Sequence, residues 1–178
     1  MWHGAEWLAS AMRKAKVKLR YGNAVRFESG VWVGRGVRID VFDGGRIAIG
    51  AGTHISDSAW LSVKAGSIAI GPQSLIGRGT VIIATQRVTI GADALIAEYV
   101  SIRDHDHAHD PGSPFNQQGR LEAPVEIGAN VWLAAKVTVT RGVRIADGTV
   151  VGANAVVTKS IDAPGRYAGV PARPISQS

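Results

Sequence analysis

The sequence predicts an all-β chain wound as a parallel solenoid, and three observations predict it. Four segments repeat one another: "RIAIGAGTHISDSAW", "SIAIGPQSLIGRGTV", "RVTIGADALIAEYVS" and "PVEIGANVWLAAKVT". Gly71 follows Gly50 by 21 residues and Gly91 follows Gly71 by 20. Within these units aliphatic residues recur every six positions: Ile49 and Ile55; Ile70, Ile76 and Ile82; Ile90, Ile96 and Ile102; then Ile127, Leu133, Val139, Ile145, Val151 and Val157. A helix would space them by three and four, and a plain strand would alternate every two. A period of six suits short strands joined by corners. The aliphatic residue points inward, the small residue after it lets the chain turn, and three edges close a coil of about 18 residues. The composition agrees: 22 Gly and 6% aromatics leave the corners to small and β-branched side chains.

The elements follow in order. Residues 2–20 read as an amphipathic helix, with Trp7, Leu8, Ala11, Met12 and Ala15 on one side and Arg13, Lys14, Lys18 and Arg20 largely on others. A solenoid has open ends, so the expectation is a cap whose apolar side lies on the first coil. A second reading gives this basic surface a peripheral contact with membrane. Residues 21–101 are coils, of which 21–48 are degenerate and "VWVGRGVRI" is the clearest piece. The pattern then breaks. Gly128 follows Gly91 by 37 residues, where one coil accounts for roughly 20. The surplus lies in residues 102–126 and contains Pro111, Gly112, Pro114 and Gly119, which mark a loop. Long loops on rigid scaffolds carry function. Residues 127–159 resume the coils, and residues 160–178 leave them as a Pro-rich tail.

Length and charge bound the rest. The 178 residues, 46% hydrophobic and 19% charged, make one globular domain. The absence of Cys removes disulfides, thiolate metal sites and a Cys nucleophile. No apolar run reaches the ~18 residues of a membrane span, and the N-terminus lacks the apolar block of a signal peptide, so the cytoplasm is expected. The net charge of +6 and pI of about 10.1 admit nucleic acid, an anionic membrane or an anionic ligand. No helix-turn-helix, zinc-finger or RNA-recognition pattern is present, so nucleic acid is not expected.

The loop concentrates the chemistry. "SIRDHDHAHDPG" holds three of the five His at alternate positions, with Asp104, Asp106 and Asp110 among them. The pattern Ile-x-Asp-His-x-His, then "DPGSPFNQQG", then "PVEIGANVW", then "VVGANAVVTKSIDAPGRYAGVPARPI" resembles the hexapeptide-repeat acyltransferases. The branch is that of sugar and polysaccharide O-acetyltransferases, related to maltose and galactoside acetyltransferases. The resemblance covers about residues 30–175. It implies a left-handed parallel β-helix with a protruding active-site loop. It also implies transfer of acetyl from acetyl-CoA to a saccharide hydroxyl, in a homotrimer with sites between subunits.

By the same resemblance the catalytic base stands five residues after the aliphatic that opens the loop, which is His107. An imidazole titrates near neutral pH and suits proton removal from an attacking hydroxyl. His105, two residues off that offset, and His109 share its face in an extended segment. Asp104 and Asp106 are read either as orienting the base or as capping turns. Ala135, Ala153 and Thr158 fall at CoA-contacting positions of the family, and Lys159 and Arg173 stand where cations would meet CoA phosphates. His105, Gln118 and Trp132 are assigned to the acceptor side. "WLAAK" departs from the Trp-Ile-Gly of many relatives, and "GRGTVIIATQ" lacks the Asn that sugar acetyltransferases place one coil earlier. The acceptor therefore stays open. Two other readings remain: a metal-dependent hydratase of carbonic-anhydrase type, and a non-catalytic scaffold subunit. The close spacing of the three His disfavours a metal site, and none is expected.

Overall fold

A computed structural model describes residues 4–176. Short strands stack in three parallel sheets, the three faces of a left-handed β-helix. The first face is Val25–Phe27, Arg46–Ile49, Ser67–Ile70, Arg87–Ile90, Val125–Ile127 and Arg144–Ile145. The second begins with Trp32–Val33, His54–Ile55, Leu75–Ile76 and Leu95–Ile96, and continues with Trp132–Leu133 and Val150–Val151. The third is Arg38–Phe42, Trp60–Lys64, Val81–Ala84, Ser101–Arg103, Thr138–Val139 and Val156–Val157.

The in-phase aliphatics stack in register. Ile55, Ile76, Ile96, Leu133 and Val151 form one column on the second face. Leu61, Ile82, Ile102, Val139 and Val157 form another on the third. Both columns are buried and belong to one core. This is the ladder the period of six demands, since no single coil can bury its own aliphatics. Small polar residues four places on are buried too. Thr53, Ser74 and Thr80 donate their hydroxyls to Gly71 O, Gly91 O and Ala97 O of the next coil. Each corner hydroxyl is thus satisfied inside.

The N-terminal helix, Gly4–Tyr21, caps the first coil, but with the opposite side from the one expected. Ser10 is fully buried, and its Oγ accepts from Val33 N at 2.8 Å. Arg13 Nη1 donates to Val33 O at 2.8 Å, and Lys14 Nζ to Val31 O at 2.7 Å. The reason is the open edge: unpaired backbone groups at Val31 and Val33 need polar partners more than apolar cover. Trp7 still packs edge-on against Trp32, with ring centroids 5.1 Å apart, while Leu8 and Met12 face solvent.

The coil region from residue 21 is less degenerate than its sequence. Val25–Phe27, Trp32–Val33 and Arg38–Phe42 make a full first coil. The C-terminal tail also differs from expectation: it stays on the helix. Ile161 bridges Ile145, and Arg166–Ala168 pairs in parallel with Val150–Val151. Arg173–Pro174 folds back antiparallel on Arg166–Ala168. Val156 N donates to Gly169 O, and its carbonyl accepts from Ala172 N at 2.8 Å. The tail so closes the second open end on all three faces.

Candidate active site

The loop leaves the third face after Ser101–Arg103 and rejoins the first at Val125–Ile127. Its base is a hairpin, His105–His107 antiparallel to Arg120–Glu122, with His107 opposite Arg120 and His105 opposite Glu122. Ala108 N donates to Gly119 O and Ala123 N to Asp104 O, both at 2.9 Å, which closes the hairpin at each end. Arg141 Nε meets Asp106 Oδ2 at 3.0 Å and ties the hairpin to the following coil.

Asp104 anchors the loop. It is fully buried and accepts from Thr85 N at 2.9 and 3.0 Å, Gln86 N at 2.7 Å and Arg87 N at 2.8 Å, all in the corner one coil earlier. Thr85 Oγ1 adds a contact at 3.1 Å. Burial pushes the Asp104 carboxyl up, but the hydrogen bonds from Thr85, His105, Gln86 and Arg87 outweigh it and hold it below the usual carboxylate value. The imidazole beside it is that of His105, with Nδ1 3.1 Å from Asp104 Oδ1. The structure therefore places Asp104 on His105, not on His107. His107 and His109 are exposed, and among the described residues neither side chain is held by a hydrogen bond.

Gln118 is also spoken for. Its Oε1 accepts from Asp110 N at 2.8 Å, and its Nε2 donates to Asp110 O at 3.1 Å and Ser113 O at 2.8 Å. It shapes the loop's distal turn rather than presenting free polar atoms to an acceptor. Trp132 lies half-exposed on the outside of the second face.

The residues assigned to CoA divide between two corners. Ala135 and Ala153 follow the second face in successive coils, and the Ala135 carbonyl accepts from Asn154 N at 2.9 Å. Arg173 pairs with Ala168, whose Cβ lies beside Gly152, so it joins this corner. Thr158 and Lys159 follow the third face, on the side from which the loop departs in its own coil. Ala153, Thr158, Lys159 and Arg173 are exposed.

A shallow recess of about 300 Å³ lies against the hairpin, lined by Lys64, Ala65, Thr85, Arg120 and Glu122. No motif in the sequence points to these residues: they sit in different coils, and only the hairpin register brings Arg120 and Glu122 back to the corner at Thr85. Among the described residues no group of three His, Cys, Asp or Glu side chains converges so as to hold a metal ion.

Comparison with known proteins agrees with this architecture. Residues 124–159 match the family described as "Bacterial transferase hexapeptide (six repeats)". The chain is 34% identical over 145 residues to "Probable acetyltransferase Rv3034c" of Mycobacterium tuberculosis, covering 80% of this chain and 48% of that one. It thus spans about half the length of that relative. It is 31% identical over 167 residues to "Putative lipopolysaccharide biosynthesis O-acetyl transferase WbbJ" of Escherichia coli K12, covering 89% of this chain and 74% of that one. A variant of AntD, an N-acyltransferase from Bacillus cereus solved with dTDP and coenzyme A, shares the fold. Its TM-score is 0.72 at 24% identity, covering 92% of this chain and 88% of that one. With repeat, loop and tail in order and a relative matched along most of its length, the chain belongs to the hexapeptide-repeat acyltransferase family.

Proposed function

We propose that this chain is an acetyl-CoA-dependent O-acetyltransferase that acts in the cytoplasm on a hydroxyl of a sugar or polysaccharide precursor. The observation that carries the reading is the loop of three imidazoles built out of one corner of a β-helix of this family. The relatives named for acetyl transfer, one of them in lipopolysaccharide biosynthesis, support the saccharide acceptor.

The chain fits a CoA thioester at its C-terminal coils. Lys159 and Arg173 are exposed cations suited to phosphates, and small residues at Ala135 and Ala153 leave the corner backbone open to a pantetheine arm. Acetyl-CoA supplies an activated acyl group. His107 takes the proton from the acceptor hydroxyl as that oxygen bonds to the acyl carbon. The carbon–sulfur bond would then break, and the CoA sulfur would take the proton back from His107 and leave as the free thiol. No covalent acyl-enzyme is needed.

The assigned residues meet between copies of a homotrimer. Two observations support this. Thr158 and Lys159 are separated from Ala135, Ala153 and Arg173 by the width of the third face. The outside of the second face carries a row of Leu75, Leu95, Trp132 and Val150 in register, with Leu75, Leu95 and Trp132 exposed. A continuous apolar row is what a neighbouring copy covers.

A second reading of the base rests on one contact: the Asp104 carboxylate orients His105 through Nδ1 and leaves Nε2 for the acceptor. The test is thiol release from acetyl-CoA against a panel of sugars and nucleotide sugars. His107→Ala, folded and of unchanged solution mass, should lose activity by about a hundredfold or more. Loss in His105→Ala with His107→Ala unaffected moves the base to His105. No release with any acceptor overturns the enzymatic reading, and release unchanged in both variants overturns the assignment of a histidine base.

A further inference from the structure

The N-terminal helix turns its apolar stripe to solvent. Its inner side is set by Ser10, with Arg13 and Lys14 bonded to the coil edge and Val17 packed on the core. At about 100° per residue, Leu8, Met12, Ala15 and Leu19 fall within an arc of about 60° nearly opposite Ser10. Leu8 is 65% exposed, Met12 56% and Leu19 91%. The spacing i, i+4, i+7, i+11 is that of a helix face built to be covered. Nothing in the coil covers it, because the helix has already spent its other side on the coil.

The charges around the stripe select what does. Lys16 and Lys18 flank it on its two sides, with Arg20 beyond, and all three are exposed. Glu6 is the only acidic residue in Gly4–Tyr21. A second copy of this helix would bring like charges together, in a chain whose net charge is already +6. An anionic surface would be attracted instead. A helix of modest overall hydrophobicity, with Leu and Met on one side and Lys and Arg beside them, has the composition of an interfacial helix.

We infer that Gly4–Tyr21 lies flat on an anionic membrane surface. Leu8, Met12 and Leu19 sit among the acyl chains, and Lys16, Lys18 and Arg20 lie at lipid phosphates. This inference is independent of the acetyltransferase reading, since its readout is binding alone.

The test is co-sedimentation of the full chain with vesicles of phosphatidylcholine, and of equal parts phosphatidylcholine and phosphatidylglycerol. The chain should pellet with the anionic vesicles and not with the neutral ones. Binding should weaken between 0.1 and 1 M salt, as the screening length drops from about 10 Å to about 3 Å. The combined variant Leu8→Ser, Met12→Ser, Leu19→Ser should melt like the parent and lose at least about tenfold in binding. Lys16→Gln and Arg20→Gln should each cost about fivefold. A parent that stays in solution with anionic vesicles at low salt overturns the inference. So does a triple variant that binds as well as the parent. A triple variant of lower solution mass also overturns it, by showing that the stripe is covered by another copy.

Discussion

Asp104 shows what one residue does in this chain. In sequence it is a carboxylate beside histidines. In the fold it is the pin that holds the loop to the corner at Thr85, Gln86 and Arg87. Replacing it with Ala strands three backbone N–H groups, that of half-buried Thr85 and those of exposed Gln86 and Arg87. The expected loss is about 2–4 kcal/mol of stability by thermal or urea denaturation. Asp104→Asn keeps the shape but turns an N–H₂ toward donors, so it should also destabilise, by less. The pH dependence follows from the lowered carboxyl pKa. Asp104's contribution is fully present above its unfolded value of about 3.9 and is lost as pH falls through the lower folded value. Melts of the parent should decline in that acid window, and the gap between parent and Asp104→Asn should close there.

The element that matters most is the corner. The repeat glycines do not need unusual dihedrals at Gly71 and Gly91; they need room. A Cβ on Gly71 would stand 2.5 Å from Ala92 N, and one on Gly91 2.5 Å from Ala129 N, both backbone atoms of the next coil. Backbone that is itself stacked on both sides cannot yield. Gly71→Ala should therefore lower the melting temperature markedly, while Gly119→Ala, with nothing within 4 Å of the added carbon, should fall within about 0.5 kcal/mol of the parent. A melting curve of each variant checks the contrast. It also explains why Ile-Gly was such a legible signal: the Ile fills the column, and the Gly lets the next coil sit on it.

At the scale of the whole molecule the three faces differ. The first carries Arg46, Arg87 and Arg144 outward, with Arg87 paired to Glu126 at 2.8 Å and Arg144 to Asp162 at 3.0 Å. The second carries the apolar row from Leu75 to Trp132. A charged face stays in water and an apolar one is buried by association; for the proposed homotrimer, sedimentation should give three times the 18.7 kDa chain mass. Leu95→Arg, at the centre of the row, should shift the protein toward monomer and lower activity with it. A monomeric parent would remove the inter-subunit site.

By itself the sequence determined the coils from Ile49 to Val157, their core columns and the position of the loop. These follow from a local rule, one inward aliphatic and one tight corner every six residues, repeated until neighbours must stack. Only the tertiary structure decided what happens where that rule ends. It chose which side of the N-terminal helix faces in, because the open coil edge at Val31 and Val33 presents backbone groups that polar side chains satisfy better than Leu or Met. It wrapped residues 161–174 over the other end, for the same need. And it paired Asp104 with His105 rather than His107, because a buried carboxylate goes where several N–H groups converge, and that convergence lies one coil away in space and 17–19 residues away in sequence.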